Sequence, residues 1–481
     1  MDTRRIIYQR PYPKLVIKDP ETGKIATSLK SGIKLAFSAD GNTSLLSYSF
    51  TLFINDISGS FSATFFPDYK NELGETFSLF DDLKKLQIVE IYEGNGISTD
   101  KPVFTGIIRR KKYIAQAHDS GGNRRISISG TAITGLISQF YINLDVSACA
   151  LSKELKTQAA IINKLTIDGK AGESVKNIVK KIWDCFYEIS QQLGTPKIKE
   201  YIDRFTGGVD SLFDIDNSTF HYPLGCVFNG QTTQDFFSLI DGIVPSPVYE
   251  KFAYMGSDGK MKIKIRLVPF DNDKWATLCL KSHYIESDIL QSFDLTESDD
   301  EVYTAFYAYL NGYPIDEQKS LILSTNIDNA GVDNVLKDSE RFKIYGYRPM
   351  TAHFIGYGLK EGEQDSDSVS GMEQMSFNLK NWYEHLPDML KGSIVLSLIF
   401  NNKINKIQPG EVVNFLSGYF YVEGVTHNWN YGSGGEINLS VSRGGKYLGG
   451  EFKGQIEDIT DIMRLVFKAA DGKVSGLALN R

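Results

Sequence analysis

Between Ser31 and Phe66 the chain alternates polar and apolar residues, as in Ser47-Tyr48-Ser49-Phe50-Thr51-Leu52-Phe53-Ile54 and Ser60-Phe61-Ser62-Ala63-Thr64-Phe65. Successive side chains of a strand point to opposite faces, so this period of two predicts half-buried strands. Further strands are expected at Leu86 to Tyr92, Val103 to Ile108 and Arg125 to Ser129, separated by turn clusters such as Glu93-Gly94-Asn95-Gly96 and Ser120-Gly121-Gly122-Asn123. Short strands at near-regular spacing predict an antiparallel barrel or sandwich over 31–145, after an N-terminal arm at 1–30.

The spacing then becomes helical. Val175, Ile178, Val179, Ile182, Phe186 and Ile189 recur at three or four between Gly172 and Gly194. Gly207-Gly208 and the polar stretch from Asp210 to Thr219 read as a loop, and Thr233 reads as the N-cap of a helix reaching Ile240. A hairpin follows, with Ser257-Asp258-Gly259 as turn and Met261 to Leu267 as strand. Residues 146–370 thus form a mixed α+β insert. From Met372 to Leu390 a helix is expected. Strands return at Val395 to Phe400, Glu411 to Phe415, Tyr419 to Val425 and Ile437 to Ser442, giving a second all-β unit over 371–450, completed by parts of the insert. An amphipathic helix carrying Ile456, Ile459, Met463 and Val466 and a Gly/Ser-rich end occupy 451–481. The fold class is mainly β with an α+β insert.

Composition narrows the function. A 481-residue chain with 42% hydrophobic and 23% charged residues can bury large cores, enough for roughly three domains. With 52 basic and 59 acidic residues the net charge is -7, which repels a phosphate backbone overall and disfavours nucleic acid as the main partner. The four cysteines, at 149, 185, 226 and 279, form no C-x-x-C pair. The start is followed by Gln9-Arg10-Pro11-Tyr12-Pro13 rather than an apolar run, so no secretory signal is expected and synthesis should be cytoplasmic. The apolar stretch Ile394 to Phe400 is far short of the ~20 residues that cross a bilayer, so no direct membrane insertion is expected.

Catalytic signatures are sparse. The six histidines, at 118, 221, 283, 353, 385 and 427, form no H-E-x-x-H or H-x-H pair, and the sequence holds no G-x-S-x-G elbow or P-loop. No metal, cofactor or catalytic residue is predicted. The acidic run Asp294 to Glu301 lacks the mid-loop glycine of a calcium loop and reads as solvated. The cluster Arg109-Arg110-Lys111-Lys112 has two readings: a grip for an acidic partner or phosphate chain, or a charged strand end that guards an edge.

Three segments, in order, resemble the baseplate hub proteins of tailed phages and contractile injection systems. The first joins Phe104-Thr105-Gly106 with Gly130-Thr131. The second runs from the helix at Thr233 to Arg266-Leu267-Val268-Pro269-Phe270. The third joins Pro409-Gly410 with Tyr421 and His427 and ends at Arg443. Gly106, Gly130 and Gly410 are expected at bends or close backbone approaches.

The resemblance implies two tube-like β-barrel domains per chain and a homotrimer that joins a hexameric tail tube to a separate trimeric spike protein. It implies no cofactor and no catalysed reaction, with DNA or effector proteins passing through the lumen, whose wall the net charge of -7 predicts to be modestly acidic and to repel DNA rather than trap it. Tape measure and baseplate wedge proteins would be further partners, and the virion tail or injection particle the destination. Competing readings are a cell-wall glycan hydrolase in the insert and a carbohydrate-binding tail-tip protein.

Overall fold

A computed structural model describes 12–28, 30–38, 45–70, 75–94, 101–116, 123–139, 141–143, 173–174, 176–177, 179–180, 182–184, 197–215, 221–222, 225–226 and 233–269. Toward the C-terminus it describes 280–286, 289–310, 336, 339–354, 357–358, 376–398, 406–415, 418–445, 447–448 and 451–452. Phe270, the cysteines at 149, 185 and 279, and the helix expected at Ile456 to Val466 lie outside these residues.

The N-terminal unit contributes β1 (Tyr12–Lys18), β2 (Ala36–Ser38), β3 (Leu45–Phe53), β4 (Ser60–Phe65), β5 (Ile88–Gly94), β6 (Phe104–Gln116) and β7 (Asn123–Ala132). The middle region contributes β8 (Phe213–Ile215), β9 (Tyr249–Met255), β10 (Met261–Leu267), β11 (Ser282–Tyr284) and β12 (Leu290–Thr296). The C-terminal unit contributes β13 (Leu390–Ser397), β14 (Val412–Phe415), β15 (Gly418–Asn430) and β16 (Gly434–Gly445).

The fold is mainly β, and one 13-stranded sheet takes in both β units. Its order is β12-β13-β16-β15-β3-β4-β7-β6-β5-β1-β2, with β14 beside β15 and β11 beside β14. The joint is the antiparallel pair β3–β15, in register from Gly424 opposite Phe53 to Asn430 opposite Ser47. The insert therefore lends β11 and β12 to the large sheet, and the expected arm lends β1, whose Leu15, Val16 and Ile17 are buried. Proline and lysine around this short apolar run hid it in the sequence.

The alternation read from the sequence sets the two faces. In β3 the buried Tyr48, Phe50 and Leu52 alternate with half-exposed Ser47, Ser49 and Thr51, and in β4 the buried Phe61, Ala63 and Phe65 alternate with Ser60, Ser62 and Thr64. On the apolar side Phe50 stacks on Phe104 at 5.0 Å and on the His427 ring at 4.4 Å. The sheet rolls around this core until β5 meets β15 across it, because Glu93 hydrogen-bonds His427 although several strands separate them in the ladder.

The middle region folds as the small sheet β8-β10-β9, and two expectations are corrected there. The stretch from Asp210, read as loop, holds the one-turn helix Val209–Leu212 and then β8, which pairs parallel with β10. Only Phe213 and Ile215 are buried in β8, and Asp214 turns out to meet Lys264, so three residues were too few to show a period. The next helix spans Phe236–Ile243, and its N-cap is Asp235, whose carboxylate accepts from the Ser238 amide at 3.0 Å. Thr233 instead lies in the strand Thr233–Asp235. The helix expected from Met372 spans 376–383 among the described residues and gives way to a 3-10 turn at Leu386–Asp388 before β13.

Gly130 shows why a side chain cannot stand where β4, β7 and β6 bend together. A Cβ there would lie 1.8 Å from the Ile107 carbonyl oxygen and 2.8 Å from the Phe61 ring, which is its cross-strand partner. Gly130→Ala is therefore expected to lose about 1–3 kcal/mol of unfolding free energy. Ser129→Ala, one residue away on the polar face, should stay within about 0.5 kcal/mol of the parent in the same denaturant titration.

Candidate functional site, a polar sheet face over a buried seam

The face of the large sheet turned away from the core carries continuous cross-strand rows of short polar side chains. One row runs Ser397, Glu436, Asn428, Ser49, Ser62, Ser129, Arg110. Its neighbour runs Ser292, Val395, Asn438, Thr426, Thr51, Ser60. A third runs Asn430, Ser47, Thr64, Ser127, Lys112. Every row crosses from the C-terminal unit into the N-terminal one at β15–β3. The Thr51 and Thr426 hydroxyls meet there at 3.1 Å, and Asn428 donates to Glu436 at 3.2 Å.

Hydroxyls and amides dominate this face, with Val395 and the exposed Phe53 as its apolar members. The modest acidity expected from the net charge is not found on it: Glu436 and Asp294 stand toward one end, Arg110, Lys112 and Arg125 at the other, and mostly neutral side chains lie between. Charge sums over a whole chain do not report how charge divides between faces.

Beneath the seam sits a buried polar network. His427 Nδ1 lies 2.8 Å from Glu93 Oε2 and 3.0 Å from Oε1, and the Tyr48 hydroxyl donates to Glu93 Oε1 at 2.8 Å. Tyr48 also stacks on Trp429 with ring centroids 5.8 Å apart. Burial first, and then the neighbouring Glu93 carboxylate, push the Tyr48 hydroxyl well above its ordinary pKa. The network ties β3, β5 and β15 together by groups that would be costly to leave unpaired away from water.

A second lock joins the middle sheet to the C-terminal unit. Arg266 of β10 pairs with Glu250 of β9, donates to the Gly410 carbonyl at 2.6 Å and to the Tyr421 hydroxyl at 3.1 Å, and lies 5.5 Å over the Phe252 ring. Tyr421 in turn donates to Glu250. Gly410 has φ +78, and a Cβ on it would meet Arg266 Nη2 and the Phe252 ring at 2.6 Å, so the Pro409-Gly410 turn is shaped by the guanidinium that grips it. Arg443 packs beside this lock, 4.8 Å over Trp382 and 5.1 Å over Tyr421, and bonds Ser442 at 3.2 Å. A cavity of about 160 Å³, lined by Asn55, Tyr249, Glu250, Tyr383, Glu423 and Arg443 among others, opens where the three regions meet.

The motif residues named from the sequence thus fall into three places, none on the polar face. Phe104, Gly106 and Gly130 lie under Phe61 in the N-terminal core; Thr105 is buried opposite Glu90, and the Thr131 hydroxyl is buried without a hydrogen-bond partner among the described residues. Arg266, Gly410 and Tyr421 form the lock, with Pro409 buried beside it and Pro269 half-buried just past the end of β10. His427 sits in the seam network. Sequence reasoning missed Glu93, Glu250 and the hydroxyls of β4 and β7. The alternation of β4 and β7 was visible, but a register linking them to β3 and β15 requires the fold. Among the described residues there is no cluster of three or more metal-ligating side chains and no helix long and apolar enough to cross a membrane.

No protein-family model and no curated protein matches the chain. Solved structures do align with it along most of its length. Two of these neighbours are tail proteins and a third is a secretion-system component. One from Neisseria meningitidis aligns with TM-score 0.45 and 11% identity over 90% of this chain and 96% of its own. The 43 kDa tail protein of prophage MuSo2 from Shewanella oneidensis aligns with TM-score 0.46 and 11% identity over 90% and 97%. An Escherichia coli component of the type VI secretion system, described as structurally similar to the T4 tail proteins gp27 and gp5, aligns with TM-score 0.39 and 8% identity over 85% and 77%.

Two outcomes are expected from the buried networks. Glu250→Gln leaves Arg266 buried without its carboxylate and should cost about 3–5 kcal/mol by denaturant unfolding. The pKa of Tyr421, like that of Tyr48, is raised above 10.0 by burial and a neighbouring glutamate. Both tyrosines therefore keep their protons in the folded chain while the unfolded chain loses them. Their contribution is complete below pH 10.0 and falls as pH rises above it. A titration followed by tyrosinate absorbance should show a late fraction that ionises only as the chain unfolds, and that fraction should shrink in Tyr48→Phe and Tyr421→Phe.

Proposed function

We propose that the chain is a structural baseplate hub protein: a trimeric ring that couples a hexameric tail tube to a separate trimeric spike, with the polar face of the large sheet lining the central channel. One observation carries this reading, the continuity of hydroxyl and amide rows across the β15–β3 seam. A face meant for a protein partner presents apolar anchors, whereas a wall past which cargo slides needs groups that stay hydrated and hold nothing tightly. Short serine, threonine and asparagine side chains on a continuous ladder meet that need. Among the described residues the ladder ends at β2 on one side and β12 on the other, and sister copies in a ring would cover such edges. The face, neutral between its charged ends, suits passage of DNA or of folded effectors alike.

The reading assigns no catalytic step, and tube, spike, tape measure and wedge proteins are the partners it implies in a virion tail or injection particle. Purified full-length protein should elute as a trimer by light scattering and show rings with a central channel by negative-stain microscopy. Persistent monomers, alone and with added tube and spike proteins, would contradict it, and clearing of peptidoglycan by the chain would move the assignment to a wall hydrolase.

A further inference from the structure

Beyond Ile108, β6 has β7 as its ladder neighbour among the described residues, since β5 pairs only with Phe104 to Ile107. β4 likewise stops at Phe65 opposite Ile126, so Arg124 and Arg125 extend past it. The outcome is a ribbon that continues the sheet and carries the basic cluster noted in the sequence. A bulge between Ile108 and Arg110 sets its facing: Arg110 lies opposite Ser129, Lys112 opposite Ser127 and Ile114 opposite Arg125. These side chains share the polar face, and Arg110, Lys112 and Arg125 are exposed.

Lys111 points the other way and has a structural task. It donates to the carbonyls of Phe80 and Leu83 at 2.8 and 2.9 Å, past the end of the one-turn helix Leu79–Asp82, and covers the Phe80 ring at 4.1 Å. Asp81 is on that side as well, paired with Lys30 and within the field of Lys111. Among the described residues no carboxylate pairs with Arg110 or Lys112. On their own face the next acidic side chain along the row is Glu436, beyond Ser129, Ser62, Ser49 and Asn428.

We propose that this ribbon is a sequence-independent grip on the phosphate backbone of duplex nucleic acid. Arg110 and Lys112 are its cations, and the hydroxyls of Ser127, Ser129, Ser62 and Thr64 are its neutral donors. The chemistry matches what backbone contacts use, arginine and lysine flanked by serine and threonine. An acidic protein surface fits less well, because among the described residues this end of the face offers, apart from Ile114, no apolar anchor of the kind that dominates protein interfaces. On a chain of net charge -7 such a cationic strip would hold DNA weakly and reversibly, which is compatible with transport past it. The inference rests on the reading of the polar face as a channel wall.

The test is fluorescence anisotropy of a labelled duplex of about 20 base pairs with the full chain, titrated in salt. Binding should weaken steeply with salt and be indifferent to base sequence. The double substitution Arg110→Ser with Lys112→Ser should lower affinity about tenfold or more at low salt and reduce the slope of log K against log salt by about 2, one contact per cation. Lys24→Ser, an exposed cation in the turn after β1, should leave both unchanged, and circular dichroism should confirm that all variants fold. The proposal is overturned by absence of duplex binding at low salt, by an unaltered slope in the double variant, or by polyglutamate competing as well as duplex, which would indicate an acidic protein instead. Rings that ignore DNA would sink this inference alone. A chain that binds duplex through the ribbon yet never forms rings would sink the hub reading and leave the ribbon standing.

Discussion

The structure depends on the pairing of β3 with β15, which sets residues 47–53 against 424–430 and turns two distant β units into one sheet. Every polar row passes through that seam, so a slip of one residue would throw the rows into the core and the aromatic side chains to the surface. The register is held from both sides. Above it, Thr51 meets Thr426; below it, Phe50 stacks on His427 and Tyr48 on Trp429. Bringing such remote segments together carries a loop-closure cost, which the many apolar contacts of the shared core offset.

The buried charges give this arrangement its specificity more than its stability. A buried ion pair with good geometry roughly balances its own desolvation, while a wrong partner leaves charge stranded. Glu93 can be satisfied by Tyr48 and His427 only if β3, β5 and β15 converge as observed. Arg266 can be satisfied only if β9, β10, the Pro409-Gly410 turn and β15 do so. The two networks therefore fix how the N-terminal, middle and C-terminal regions meet from the buried side of the sheet, while the Thr51–Thr426 contact holds the same register on the polar side.

Much of this division was legible in the sequence wherever a strand was long. The alternation in Ser47 to Ile54 and Ser60 to Phe65 showed which residues face inward, and Gly130 and Gly410 were correctly suspected of sitting where a Cβ does not fit. Short elements were not legible: β8 has three residues, too few for a period, and β1 is an apolar run framed by proline and lysine. Long-range partners were also out of reach. Nothing local marks Glu93 as the partner of His427, 334 residues away, whereas Glu250 stands directly opposite Arg266 in the β9–β10 hairpin whose turn was visible in the sequence. The basic cluster divided in a way that only register reveals, with Lys111 capping a helix and Arg110 and Lys112 facing the rows.

The most direct test of the seam is a cysteine pair, Thr51→Cys with Thr426→Cys, in the full-length chain under mild oxidation. The account predicts rapid formation of an intramolecular crosslink, found by mass spectrometry as a disulfide joining peptides from the two β units, with oligomeric state and circular dichroism unchanged. Two thiols that both stay free and alkylatable in the folded protein would contradict a shared sheet, and with it the continuous wall.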